Sequence, residues 1–330
     1  MQSIHRRGFL CHASALACLP ALAASPAFAQ AAYPQKPIRL IVPSAPGDGS
    51  DLIARMIGDK LTQVLGQSIV VDNRTGAGGR VGTEAAARAA PDGYTLIMGN
   101  AGSHGINAAL YRDLTYDIER DFVAITQVMR APNVLVINPS LPAKSVAEFI
   151  ALLKANPGKY SYASGGNGSS AHFTAELFKT MAGVDIAHVP YKGATPALGG
   201  VVGGEVVMFM GNLPPAMGHI KANRVRALAV TTAQRSSLAP ELPTIAEAGL
   251  PGFETVAWFG LFAPAGTPPG MVARVRDEVV KIVQQPDTRE RLVALGGEPV
   301  GNTSAEFAAI VRGDIAKWKR VAVAANIKAD

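Results

Sequence analysis

The sequence predicts an α/β protein folded in two lobes. Three observations carry that expectation: a strand–helix–strand–helix–strand pattern near the start, a second run of alternating helices and strands, and two extended stretches between them. One unit occurs in both halves, a short apolar or aromatic strand running into a Gly/Ser-rich loop that ends where an amphipathic helix begins.

The first 29 residues read as a bacterial secretory leader: Arg6 and Arg7, an Ala/Leu-rich run, then Ala27-Phe28-Ala29, with cleavage expected near Ala29, before Gln30. The apolar run contains Pro20 and is too short to span a bilayer. Arg6-Arg7-Gly8-Phe9-Leu10 resembles a twin-arginine signal, with His5 where Ser or Thr is usual, so the export route stays open between Sec and twin-arginine. Cys11 and Cys18, the two cysteines, both fall in this leader, so the mature chain is expected to carry no disulfide and no thiol chemistry. The expected location is therefore the periplasm.

Residues 38–42 read as a buried strand, and Leu52, Ile53, Met56, Ile57, Leu61, Val64 and Leu65 then recur at helical spacing. A second strand follows at 68–72. After Gly76-Ala77-Gly78-Gly79 an Ala-rich helix runs to about Ala90, Pro91-Asp92-Gly93 turns the chain, and 94–98 form a third strand. This is βαβαβ, hence a parallel sheet. A long extended stretch at 123–137, interrupted by Pro132, and another at 255–263 are the crossing segments, with hinges expected at 128–132 and 256–262. Between them 145–156, 171–181 and 196–202 read as helices, with strands near Tyr160, Ile186, Val206 and Ala227. The remainder is helical (271–284, 288–295, 305–325), with Phe307, Ile310, Val311, Ile315, Trp318 and Val321 on one face of the last helix, and returns to the first lobe. The expected partition is 1–29 leader, 30–131 plus 256–330 lobe 1, and 132–255 lobe 2.

The two repeated loops are the candidate binding elements. In 43–51 and 164–170, glycines let backbone N–H groups approach a ligand, hydroxyls add donors, and the helix that follows presents unsatisfied N–H groups. Such places favour a small anion. Hydrogen bonds to a charged group contribute roughly 1.5–3 kcal/mol each, and micromolar affinity needs about 8 kcal/mol, so a few suffice without covalent chemistry.

Other functions find little support. The formal charge of +6 falls to +4 once a leader with two arginines is removed, the basic residues are scattered, and aromatics are sparse, so no nucleic-acid partner is expected. Gly76-Ala77-Gly78-Gly79-Arg80-Val81-Gly82 follows a strand and opens a helix, but its third glycine is one place late for a dinucleotide site and Asn100 stands where an acid should end the next strand. Tight turning and close packing explain those glycines better, and no cofactor is expected. No Gly-x-Ser-x-Gly occurs, and His104, His172, His188 and His219 have no evident acidic orienter, so no catalytic residue is assigned. Metal ligation lacks mature cysteines and closely spaced histidines.

At Pro37-Ile38-Arg39-Leu40-Ile41-Val42-Pro43, Asn73-Arg74 with Gly76-Ala77-Gly78-Gly79, Pro91-Asp92-Gly93-Tyr94-Thr95-Leu96, Pro190-Tyr191-Lys192-Gly193, Arg226-Ala227-Leu228-Ala229-Val230-Thr231 and Trp258-Phe259-Gly260-Leu261-Phe262-Ala263-Pro264, the chain resembles the Bug family. These are TctC-like periplasmic substrate-binding proteins of tripartite tricarboxylate transporters, and the match covers nearly all of the mature sequence. The resemblance implies a two-lobed periplasmic binding protein, a type II Venus-flytrap, with an interlobe ligand cleft. It implies a receptor that captures a small carboxylate-bearing solute and delivers it to integral-membrane permease subunits. Carried over by position, Ser44, Ala45, Gly47, Asp48 and Asp51 fall on the first loop, Ser164, Asn167, Gly168, Ser169, Ser170 and His172 on the second, and Tyr191 and Asn212 on the cleft wall.

Three departures stand out: Ser44 replaces an expected Phe, Asp48 stands where a second Gly is usual, and the segment 204–211 lacks the aspartates typical around Met208-Phe209. Asp48 reads either as a solvated turn aspartate or as a selector against negatively charged ligands. The alternatives in function are an exported enzyme acting on a small organic acid and a solute receptor feeding a signalling sensor.

Overall fold

The structure, a computed structural model, describes residues 33–327, so the leader, its cleavage site and both cysteines lie outside the described residues. The first half opens with β1 (Ile38–Val42), α1 (Gly49–Leu65), β2 (Ile69–Asn73), α2 (Arg80–Ala87) and β3 (Thr95–Asn100). β1 pairs in parallel with both β2 and β3, as a βαβαβ unit requires. Helix α1 buries Ile53, Ala54, Met56, Ile57 and Leu61 and stops at Gly66, whose φ of 70° is left-handed. Leu52 and Val64 stay on its outer side, 42% and 41% exposed, so the apolar stripe is narrower than the sequence pattern.

A π-helical turn (Gly102–Ile106), α3 (Asn107–Leu110) and α4 (Ile118–Asp121) lead into β4 (Phe122–Ile137). Pro132 does not interrupt this 16-residue strand. Up to Pro132 the strand pairs with β9 (Val256–Pro264), and from Asn133 onward it pairs with β7 (Met208–Asn212) and β8 (Arg226–Val230). A residue without an N–H is tolerated at that exchange of partners, where the ladder is discontinuous.

The second half contains α5 (Val146–Lys154), β5 (Ser161–Ser164), α6 (Ser170–Ala182), β6 (Ala187–Pro190), α7 (Ala194–Gly203) and α8 (Leu213–Lys221), interleaved with β7 and β8. The C-terminal segment comprises α9 (Pro269–Gln284), α10 (Pro286–Ala294), β10 (Glu298–Pro299) and α11 (Ser304–Ala324). The sheet order is β2-β1-β3-β9-β4-β7-β5-β6, with β8 and β10 also on β4. β4 and β9 are thus the antiparallel pair in the middle of a sheet whose flanks are parallel.

Side-chain alternation explains the apolar run 134–137 at the end of β4. Leu135 and Ile137 enter one core with Phe149, Tyr162 and Phe178, while Val134 and Val136 enter another with Phe209, Leu198 and Ala216, so both faces are covered. Helix α11 returns to the first half, packing Phe307, Val311 and Ile315 against Ile41, Ile97 and Phe262. Ile310 is 39% exposed and does not join that face. Farther along, Trp318 and Val321 meet Phe173 of α6, with the Trp318 and Phe173 rings edge to face at 5.6 Å, a contact that ties the C-terminal helix to the second half.

Candidate functional site

The first loop, between β1 and α1, is held from beneath by Asp51. This 2%-exposed carboxylate accepts from Gly47 N at 2.8 Å, Arg55 Nε at 3.0 Å and Asn73 Nδ2 at 2.9 Å, and Asn73 also donates to the Ser44 carbonyl at 3.1 Å. Burial disfavours its charge, but the hydrogen bonds from Arg55, Gly47 and Asn73 outweigh burial and hold its pKa below the ordinary carboxylate value. Gly47 turns the loop with a φ of 82°. Asp48 caps α1, accepting from Gly49 N at 2.8 Å, and stays exposed.

The second loop, between β5 and α6, rests on two stacked histidines. Ser164 Oγ lies 2.6 Å from His188 Nε2, His172 Nδ1 accepts from Gly168 N at 3.2 Å, and the two imidazoles stack at 4.0 Å. Gly166 and Gly168 have φ of 122° and 75°. Burial, with smaller contributions from His172 and Lys179, pushes His188 down to about 4, so that ring is neutral near pH 7. The Ser164–His188 contact is hydroxyl-to-imidazole, but Ser164 is fully buried and its oxygen also meets Gly166 N and O. The pair braces the loop.

Between the loops lies a cavity of about 360 Å³. The first half contributes Asp48 from the first loop, Asn100 at the end of β3 with Ala101 and Gly102 after it, and Ala257, Trp258 and Phe259 from β9. The second half contributes Gly165, Ser169, Ser170 and Ala171 from the second loop and α6, Gly193 and Ala194 at the start of α7, and Phe209, Gly211 and Asn212 from β7. The N-termini of α6, α7 and α8 therefore converge on one side, and none of the three carries an acid in its first turn. No Lys or Arg is among the lining residues. A larger hollow of about 800 Å³, between Arg80, Tyr111 and α11, shares no lining residue with this cavity and contains none of the residues singled out from the sequence.

Of the sequence candidates, the fold brings Asp48, Ser169, Ser170 and Asn212 to the cavity wall. Ser44, Ala45, Gly47, Asn167 and Gly168 form the frames and tips of the two loops, while Asp51, Ser164 and His172 brace them from inside. Tyr191 turns away: its hydroxyl donates to Glu205 at 3.0 Å and its ring packs over Gly200, because the small residues of α7 leave a groove that the ring fills. Trp258, within the expected 256–262 hinge, does two things. It is 2% exposed, donates Nε1–H to Asp314 Oδ2 at 2.6 Å, and still lines the cavity.

The residues that sequence reasoning missed are Asn100, Phe209 and the β9 wall. Asn100 sits at the carboxyl end of a parallel strand, where α/β sheets place their ligands, and it donates to Ser50 Oγ of α1 at 2.9 Å. The Gly76–Gly82 run packs as expected: a Cβ on Gly82 would meet Arg74 O at 2.7 Å and Pro43 Cα at 2.9 Å. Among the described residues no group of three or more His, Asp or Glu is placed to hold a metal ion.

Residues 53–327 match the family described as the tripartite tricarboxylate transporter family receptor. The chain belongs to this receptor family. Protein BugT of Bordetella pertussis is 37% identical over 290 residues, 88% of this chain and 89% of that protein. Among solved structures, R. palustris Rpa4515 with adipate is similar at 39% identity with a TM-score of 0.79, covering 90% of this receptor and 99% of that chain. MatC from Rhodopseudomonas palustris with bound malate follows at 34% identity and a TM-score of 0.75, covering 88% and 99%. The receptor thus has the two-lobed α/β fold of periplasmic solute-binding proteins, and its role is solute binding.

Proposed function

We propose that this receptor captures a small organic acid in the cavity between the two loops and presents the closed form to integral-membrane permease subunits of a tripartite transporter. The observation that carries the reading is the convergence of the α6, α7 and α8 N-termini on a cavity that has no basic side chain. Unsatisfied N–H groups and helix dipoles then supply the positive potential that a carboxylate needs. The adipate and malate carried by the two similar structures are of this chemical class. Binding occurs without turnover, and the leader, cleaved near Ala29, directs the chain to the periplasm.

The lobes we assign are 30–131 plus 256–330 and 132–255, hinged at 128–132 and 256–262. The change of strand partner on β4 between Pro132 and Asn133 supports this division. So does a buried polar knot at that point: Asn133 N donates to Thr231 Oγ1 at 3.1 Å, and Thr174 of α6 contacts Thr255 Oγ1 at 3.2 Å. A ligand touching α6 and β9 contacts both sides of that knot, which closure by differential affinity requires.

The test is a thermal-shift screen of mono-, di- and tricarboxylates and amino acids, followed by chromatography of the incubated compounds. A ligand at 100 times its Kd stabilises by about 2.7 kcal/mol. Stabilisation with the compound recovered intact is the expected result, and a chemically changed compound overturns the reading.

A further inference from the structure

The two ends of the cavity differ in electrostatic sign. On the second-lobe side three helices of at least nine residues begin at the wall with no acid in the first turn. On the other side α1 also begins at the wall, but its N-terminus is already covered by carboxylates: Asp48 accepts from Gly49 N, and Asp51 lies in the first turn. Asp51 is neutralised by Arg55 at 3.0 Å, whereas no ion pair is formed by Asp48 among the described residues. The Phe259 ring packs against the start of α1, where a Cβ on Gly49 would meet its Cζ at 3.5 Å. Phe209, Ala171 and Ala257 add apolar surface to the lining.

We propose that Asp48 sets the ligand class: one carboxylate directed to the second-lobe helix N-termini, an apolar middle, and at the Asp48 end an ammonium or an uncharged donor, never a second carboxylate. This deepens the receptor reading and rests on it. An ammonium there gains a charge-assisted hydrogen bond to Asp48. A carboxylate about 4 Å from Asp48 loses roughly fivefold in affinity at the dielectric of water, and nearly a thousandfold at an effective dielectric of 20.

The experiment is titration calorimetry with matched trios, in which a monocarboxylate, the dicarboxylate and the ω-amino acid share one skeleton. Trios with four, six and eight carbons and a para-substituted benzoate set cover the length of the cavity. Wild type and D48N are compared; Asn caps a helix as well as Asp, so α1 is retained. In the trio that binds, wild type should prefer the amino acid to the dicarboxylate by at least tenfold. D48N should shrink that ratio at least fivefold, with a smaller change for the monocarboxylate. If carboxylates bind but the dicarboxylate wins in wild type, or D48N leaves the ratio unchanged, the role of Asp48 is refuted and the receptor reading stands. If no member of any trio binds, the receptor reading fails and this inference with it.

Discussion

Replacing Asp51 with Asn tests whether the first loop is held by one buried carboxylate. The substitution preserves volume but puts an NH2 group where an oxygen now accepts, so either Gly47 N or Asn73 Nδ2 faces a donor instead of an acceptor. Hydrogen bonds to a charged group contribute about 1.5–3 kcal/mol each, and the Arg55 contribution is discounted because that side chain is half exposed. A loss of about 3 kcal/mol follows. With an unfolding entropy near 2.1 cal/mol/K per residue, a chain of this size should lose about 5 °C in Tm. The carboxylate pKa is depressed in the folded state, so its contribution is full above the unfolded value of about 3.9 and disappears as pH falls through the lowered one. The Tm gap between wild type and D51N should therefore close in acid. Ligand affinity should fall as well, since Gly47 and Asp48 lose their fixed position. Scanning calorimetry at pH 7 and at acid pH, with titration of the best ligand from the screen, reads both effects. A variant within 1 °C of wild type at pH 7 that binds ligand within twofold would refute the bracing role.

Gly82→Ala should destabilise by about 1–3 kcal/mol, because its Cβ meets backbone atoms of Arg74 and Pro43 that cannot rotate away; a denaturant midpoint unchanged from wild type contradicts this. Burial pushes His104 down to about 3, and burial with His172 and Lys179 takes His188 to about 4, both below the unfolded value of about 6.5. The unfolded chain then binds more protons than the native one, so stability should be full above about pH 6.5 and fall steadily from there toward pH 4, with a slope reduced by about one proton in His104→Phe. Trp258 lines the cavity while Trp318, the second tryptophan, packs against Phe173, so ligand binding should shift indole emission in wild type and leave it unmoved in Trp258→Phe.

The fold was legible where local chemistry and tertiary structure agree. Ile38, Leu40, Ile41 and Val42 are apolar and buried because both faces of their strand are covered, and Gly66 ends α1 because only a left-handed residue fits there. Helix α8 went unread, since Pro214 and Pro215 look like breakers. In the first turn they remove only N–H groups that have no intrahelical partner. The site was half legible. A Gly/Ser loop before a helix announces donors, and Asp48, Ser169 and Ser170 of those loops line the cavity. Tyr191 was expected on the wall by its position in the chain, but position does not fix where a ring points. Asn100 and Phe209 were missed because nothing local separates a strand-end residue that faces a cavity from one that faces a core.

By itself the sequence determined the alternation of strands and helices, the pairing of two similar loops and the family, all of which depend on residues near one another in the chain. Tertiary structure decided which loop residues reach the cavity and which brace it, and that α6, α7 and α8 begin at the same cavity as Asp48. The physical reason is that electrostatic sign at a point is a sum over groups brought together by folding. Gly193, Ser169 and Asn212 contribute to the same field only because β5, β6 and β7 end side by side.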